Sequence, residues 1–483
     1  MRIQVVSRAL CGFIALFVLA GPIAGAEEPV WWKGSLHAHS LWSDGAVFPE
    51  QAAAIYKDLG FHFLALTDHD NLMRDEAFPV FERYVSGMIE EGIIPGVFAA
   101  GFWPLGHDGQ VWINKTQRGY EPEDIQPYRE LFGEDWVETT EVDGDTLIRV
   151  KPLPEFRHML EEPGRFMLLD GFEITGISNV HLLAINMNRP VQPFVPEDEA
   201  AAPEMIQRNL DNIAEEAKTQ AGPVLSVLAH PNYGGAITAE HMIAVDDVRF
   251  FEVYNGHRST LNFGDDYRKD TDRMWDIVLA RRLSEDGPLL YGLATDDAHS
   301  YEQGAHSSPE RGWVMVRARQ LTPEHILGAI HDGEFYSTTG VKLEDIRHEN
   351  GALTVVVDPE PGVNYTIKFI GTRAGADLSS EPVLNADGVP MTEEKIYKRD
   401  LAHNRDILEH DTYAVTRKYS RDIGEVLHEV EGTEATYEFD GDELYVRAKI
   451  VSDQLHPNPF VRPRDGEEYQ AAWVQPVRPN GSN

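Results

Sequence analysis

The residues of this chain best suited to chemistry are histidines and carboxylates, and they recur where short apolar runs end. His37-Ala38-His39 follows the first such run, with Ser43-Asp44-Gly45 close behind, and Thr67-Asp68-His69-Asp70 follows the second. Glu173 lies in Gly171-Phe172-Glu173-Ile174, His181 opens the next run, His230 stands in Ala229-His230-Pro231, and Asp297 and His299 belong to Asp296-Asp297-Ala298-His299. Extended residues two apart point the same way, so an H-x-H pair at a strand end can aim both imidazoles at one ion. Neutral imidazole and carboxylate suit zinc, manganese or iron, and a carboxylate can bridge neighbouring ions. Packing alone gives no reason for such residues to fall at successive strand ends.

The elements that must position them are legible as alternation. Strand-like runs are expected at Gly34–His37, His62–Leu66, Phe166–Phe172, Val180–Ile185, Val224–Ala229, Phe250–Val253, Leu289–Ala294 and Trp313–Val316. Helical spacing at Pro49–Leu59, Pro203–Thr219 and Lys269–Arg282 separates several of them. Strands alternating with helices predict an α/β fold with a largely parallel sheet. In an α/β barrel the loops after the strand ends share one mouth, so residues distant in sequence converge there. A stretch rich in Pro, Gly and acidic residues, at about 102–165, interrupts the rhythm and carries Trp103, Trp112 and Trp136; it reads as an insertion over one end of the sheet. From 342 to 483 the pattern turns to strands, among them Leu353–Val357, Tyr365–Ile370, Ala435–Phe439 and Leu444–Val451, which predicts a small all-β sandwich domain. Asp440-Gly441-Asp442 suits a hairpin loop.

The chain has 483 residues, enough for two domains, and a formal net charge of −38. That charge disfavours the nucleic-acid backbone as a main partner, because no basic surplus exists to displace counterions. Residues 1–26 have the pattern of a signal peptide, with Arg2 and Arg8, an apolar run from Ala9 to Ala20, and Ala24-Gly25-Ala26 as the cleavage site. Its removal would take the charge from −38 to −40 by loss of Arg2 and Arg8. It predicts a secreted, periplasmic protein without a membrane anchor after cleavage. The only cysteine, Cys11, lies inside it, so His and carboxylates must hold any metal.

Taken in order, His37-x-His39, Asp44 in Ser-Asp-Gly, His69 in Thr-Asp-His-Asp, Glu173 in Gly-Phe-Glu, His181, His230-Pro231 and Asp297-x-His299 resemble the polymerase-and-histidinol-phosphatase (PHP) superfamily. The resemblance runs from Trp32 to about Gly340. It implies a distorted (β/α)7, TIM-like barrel over 27–341 and a centre of two or three divalent metal ions (Zn, Mn or Fe). Known members include histidinol phosphatases, other phosphoesterases and nuclease domains of bacterial DNA polymerases. Carried over by motif, His37, His39, Glu173 and Asp297 would hold one ion. Glu173, His181 and His230 would hold a second, with Glu173 bridging, and Asp44, His69 and His299 a third. Some members have His where this chain has Asp44.

The resemblance implies a phosphoesterase in which a metal-bridging hydroxide attacks phosphorus, with Glu173, Asp297 and His299 as catalytic residues. Asp68 could orient His69 or cap the chain locally. His257, Arg258, His306 and Arg311 fall in or near strand-end loops, where a cation or donor could grip a phosphate. The expected substrate is a small ester. Two alternatives remain: a carboxylic or carbamate ester hydrolase with a dry aromatic pocket supplied by Trp103 and Trp112, and a non-catalytic module that retains metal. Oligomeric state is not written in the sequence.

Overall fold

The computed structural model describes residues 28–70, 72–73, 105–107, 110–114, 122–175, 179–194, 201–265, 268–302, 307–391, 415–459 and 467–479. The expected signal peptide, Trp103 and His306 lie outside them. Each of the eight expected strands of the first half is present: β1 (Val30–Ser35), β2 (Phe63–Leu66), β3 (Met167–Ile174), β4 (Leu182–Ile185), β5 (Leu225–Leu228), β6 (Phe250–Asn255), β7 (Tyr291–Thr295) and β8 (Trp313–Ala318). A further strand, β9 (Phe335–Thr338), follows. β1–β2, β2–β3, β5–β6 and β6–β7 pair parallel, while β4 runs antiparallel to both β3 and β5.

The helices form where capping and apolar spacing coincide. Pro49–Asp58 opens with proline at its first turn and carries Lys57 in its last. Ala202–Ala217 buries Met205, Ile206, Asn209, Leu210 and Ile213, one face at helical spacing. Thr271–Leu283 starts where Asp270 accepts a hydrogen bond from the Arg273 backbone N–H, 2.7 Å. Strand period two divides the core: Phe63 and Ala65 of β2 join one apolar cluster with the helices 202–217 and 271–283, whereas Leu64 and Leu66 join another with Pro49–Asp58.

In the second half β10 (Leu343–Glu349), β11 (Ala352–Val357) and β14 (Glu434–Glu438) make a three-stranded sheet. β12 (Tyr365–Arg373), β13 (Glu425–Glu431), β15 (Glu443–Leu455) and β16 (Tyr469–Val477) continue the large sheet. Its order is β7-β6-β5-β4-β3-β2-β1-β8-β9-β16-β15-β12-β13, 13 strands in all. The sheet therefore does not break at the expected boundary near 341, because β9 pairs antiparallel with β16. Asp440-Gly441-Asp442 is not a hairpin loop: β14 and β15, which it joins, lie in different sheets. Among the described residues the ladder of named strands runs from β7 to β13 without closing on itself. One isolated parallel bridge, Ala38 with Ala298, joins the ends of β1 and β7. The open edge of β7 is met by side chains: Gly292 N–H donates to Gln475 Oε1 and Ala294 N–H to Ser337 Oγ, both at 2.9 Å, while the Gly292 carbonyl accepts from both residues.

The described part of the insertion is a four-stranded antiparallel sheet with two helices, Pro122–Phe132 and Leu153–Leu160. It packs against Pro49–Asp58 and the loop after β1, sharing one apolar cluster with Leu41, Trp42 and Phe48. Trp112 is buried within it. No helix among the described residues is long and apolar enough to cross a membrane.

Candidate metal centre

His37 and His39 continue the extended chain beyond β1. Leu36 and Ala38 go into the apolar cores, so alternation sends both imidazoles the other way. His39 N–H donates to the Ala298 carbonyl (2.8 Å) and Asp297 N–H to the His37 carbonyl (3.0 Å), which sets Asp297-x-His299 beside His37-x-His39. A second bridge pairs His69 with Glu173, and Ala229 N–H donates to the His181 carbonyl (3.1 Å), bringing His230 beside His181. His230 and Asp297 have φ of 24° and 48°, a region non-glycine residues rarely adopt and one that clusters at functional sites.

Every expected metal residue falls into one of four overlapping groups whose ligand atoms lie within 4.8 Å of one another. In the innermost, His37 Nε2 lies 3.1 Å from His39 Nε2, 3.3 Å from Asp297 Oδ1 and 3.4 Å from Glu173 Oε2. His39 Nε2 lies 3.1 Å from Asp297 Oδ1 and 3.5 Å from Glu173 Oε2. Ligands held at 2.0–2.2 Å around a tetrahedral ion stand roughly 3.4 Å apart, so this spacing is that of a coordination shell. Glu173 Oε2 and Asp297 Oδ1 have no hydrogen-bond partner, nor has His230 Nδ1. Buried polar atoms are costly to leave unmatched, and a divalent cation would match them. The donor set therefore fits metal.

Glu173 divides the cluster. Its Oε1 meets His181 Nδ1 at 2.8 Å and His230 Nε2 at 2.9 Å, while Oε2 faces His37, His39 and His69 Nδ1, the last at 2.9 Å. Asp44 sits on the outer side, with Oδ1 3.4 Å from His299 Nε2 and 3.7 Å from His39 Nδ1, and Oδ2 3.6 Å from His69 Nε2. The groupings differ in detail from the motif-based ion sets: His230 also groups with His37 and Asp297, and His69 with Glu173 and His181.

Electrostatics follow from this crowding. Burial, with His299 and His69 adjacent, pushes His39 down to about 3, leaving a neutral imidazole. Burial opposes charge on His37 too, yet Asp297, Glu252 and Glu173 hold it well above the usual value. Burial likewise works against ionising Asp44, Glu173 and Asp297, but the surrounding imidazoles keep all three well below the carboxylate range. His299 stands at about 9, where Asp44 and Asp297 outweigh burial. Metal binding releases such protons, a cation supplying the charge in their place.

One residue essential to the arrangement went unrecognised in the sequence. Glu252, fully buried in β6, accepts from His37 Nδ1 (2.7 Å), Thr295 Oγ1 (2.7 Å), Asn255 Nδ2 (2.7 Å) and the His230 backbone N–H (2.7 Å). It fixes the His37 ring with Nε2 toward the cluster. A lone Glu inside the run Phe250-Phe251-Glu252-Val253 was the available signal, since a buried carboxylate must have partners. Of the two roles considered for Asp68, orienting His69 is not seen: its hydrogen bonds go to the loop after β1. It accepts from the Ser40 backbone N–H (2.8 Å) and from the Ser40 and Ser43 hydroxyls, holding the loop after β1. Thr175 Oγ1 meets His69 Nδ1 instead, at 2.6 Å.

Among the expected substrate contacts, His257 stands at the rim, its ring 5.3 Å from that of His299 and 5.8 Å from Tyr233. Burial pushes its pKa down to about 4. Arg258 is exposed. Arg311 is buried, its guanidinium 3.7 Å from Glu468 and its carbonyl accepting from His456 Nε2 at 2.8 Å. It is thus engaged with the second half of the chain. Tyr233, not singled out from sequence, lines the cluster, 5.1 Å from the His230 ring.

No family model and no curated protein matches the sequence. Among solved structures, a two-domain protein containing a predicted PHP-like metal-dependent phosphoesterase, from Bacteroides vulgatus, is similar with a TM-score of 0.34 and 14% identity, over 91% of this chain and 94% of that one. A candidate metal-dependent phosphoesterase of Bifidobacterium adolescentis is similar at 0.26 and 13%, over 63% and 96%. At these values neither likeness decides fold or activity.

Proposed function

We propose that the protein is a metal-dependent phosphoesterase acting on a small, exported phosphorylated ester. The observation that carries the metal reading is Glu173, one fully buried carboxylate with imidazoles on both oxygens and no hydrogen bond to Oε2. When bound, two or three divalent ions would supply Lewis-acid charge and an activated water. His37, His39, Asp44, His69, Glu173, His181, His230, Asp297 and His299 are the proposed ligands. The chain's part is to preorganise them: Glu252 orients His37, and full burial of His37, His39 and Glu173 excludes bulk water and strengthens every charge interaction. The half-buried Asp44, His69 and His299 mark the side open to substrate. The motif resemblance supports phosphoester chemistry over other hydrolysis, and a net charge of −38 argues against a nucleic-acid substrate. Export is proposed from the signal-like residues 1–26 alone.

A second reading, hydrolysis of carboxylic or carbamate esters, is favoured by Arg311, a cation expected to grip phosphate but drawn to Glu468. Turnover of p-nitrophenyl phosphate beside p-nitrophenyl acetate and a carbamate, with and without chelator, separates the two. Chelator-sensitive phosphate release is expected. Chelator-sensitive acyl cleavage alone would replace the first reading by the second, and bound metal with neither activity would favour a metal-retaining module.

A further inference from the structure

Asp44 differs from the other ligand candidates in its support. It lies on a tight loop, in which Leu41 N–H donates to the Val47 carbonyl (2.8 Å) and Ser43 and Gly45 N–H to the Ser40 carbonyl (3.0 and 2.9 Å). The turn demands glycine at 45, where a Cβ would sit 2.4 Å from Ser40 N. One side of the loop is tied to the cluster through Ala46 N–H and the His299 carbonyl (2.8 Å). Its other side ends at Phe48, the residue that precedes helix Pro49–Asp58. There the insertion takes hold. The Tyr128 ring stacks on Phe48, centroids 3.9 Å apart and 9° from parallel. Two residues on, the fully buried Glu50 accepts from the Tyr128 hydroxyl and from Trp136 Nε1 (2.7 Å), and Lys151 lies over the Trp136 ring at 4.5 Å.

We infer that the insertion is a positioning element for the outer end of the cluster: Tyr128 and Trp136 hold Phe48 and Glu50, and through them the loop that carries Asp44. This rests on the metal-centre reading above. A carboxylate on an irregular loop contributes to a metal site only as far as its loop is held in place, and outer supports of this kind carry about 10- to 100-fold in metal affinity. The inner residues His37, Glu173 and Asp297 hang on strands and strand ends and should not feel the insertion. It thus acts on one part of the cluster rather than on the whole fold.

The test uses the full chain and two variants, Tyr128→Leu, which removes the stack, and Tyr128→Phe, which removes only the hydroxyl and should leave the fold intact. Zinc or manganese equivalents per chain are titrated, and backbone hydrogen exchange is followed in metal-free protein. Tyr128→Leu is expected to lose the weakest equivalent, recovering it only at about 10- to 100-fold higher metal. Exchange should rise over 41–47 while β2 and β3 keep wild-type protection. Tyr128→Phe should show the same exchange pattern with smaller amplitude. Wild-type stoichiometry and unchanged exchange over 41–47 in both variants would overturn the inference while leaving the metal reading intact. A wild-type chain that takes up neither metal would instead remove the metal reading and the inference with it.

Discussion

Two of the buried groups of charged side chains among the described residues are built on opposite principles. Where the halves meet, Arg447 directs Nε and Nη2 to Asp276, both at 2.8 Å, and places Nη1 3.1 Å from Asp272. Lys449 Nζ lies 2.6 Å from Asp272, Tyr445 Oη donates to Asp276 at 2.7 Å, and the guanidinium sits 4.7 Å over the Trp275 ring. Two cations there answer two carboxylates. In the metal cluster, six imidazoles and three carboxylates turn lone pairs toward one another, and Glu173 Oε2 and Asp297 Oδ1 have no hydrogen bond. Burial is alike in both. The junction is balanced by its own fixed charges and joins two parts of the chain, whereas the cluster balances its carboxylates by holding protons on imidazoles such as His37 and His299, protons that a bound cation would replace.

The sharpest way to break that contrast is Glu173→Ala. Losing a bridging ligand should cost at least about 10³-fold in turnover, because several kcal/mol of charge stabilisation go with the ions. Added metal should raise Tm in wild type, by about 2.7 kcal/mol of stability at 100-fold over Kd, and fail to do so in this variant. Equal metal-induced Tm shifts in the two proteins would mean the cluster is not the binding site. At the junction the effect should be on stability alone. Arg447→Met strands Asp276 in the interior and is expected to destabilise by about 3–5 kcal/mol in denaturant titration, with Arg447→Met/Asp276→Leu recovering most of it. If the double variant is no more stable than the single one, the junction does not behave as a self-balanced pair. Glu252→Gln sets an amide NH₂ against two donors and should weaken metal binding about 10- to 100-fold, read by competition with a chromogenic chelator. Unaltered affinity would reduce Glu252 to a packing residue.

The smallest effect concerns Glu50. Burial raises its pKa above the ordinary carboxyl value, against the pull of Tyr128 and Trp136. A carboxyl that holds its proton more tightly when folded contributes stability fully below its unfolded pKa, and loses it as pH rises through the folded one. Glu50→Gln carries no such proton, so its Tm should gain on wild type across that window. Parallel Tm–pH curves would show that Glu50 bears no charge cost.

Much of this was legible because the signals are local. Strand ends at His37, His69, Glu173 and Asp297 declare themselves by an apolar run meeting a polar residue, and Pro49 and Asp270 mark helix starts by capping chemistry. What escaped depends on distant partners. Arg447 and Asp276 are 171 residues apart and look like ordinary surface charges in sequence. Asp68 adjoins His69 in sequence, yet its carboxylate reaches Ser40 and Ser43 on a neighbouring strand end, a pairing that adjacency cannot show. Asp440-Gly441-Asp442 has hairpin composition, but composition does not say which strands pair.

The side chains on the β7 edge have a consequence for how the chain can be cut or made. The Gly292 N–H donates to Gln475, 183 positions downstream, while its C=O accepts from both Gln475 and Ser337. A fragment ending near 341 would keep every ligand candidate and the Ser337 contacts to β7, but would lose Gln475 and the β16 partner of β9, exposing a strand edge of the kind that recruits other chains. Such a fragment should sediment as aggregate rather than as an active minimal enzyme. Folding would be slow for the same reason, since the edge is sealed only after a long-range closure.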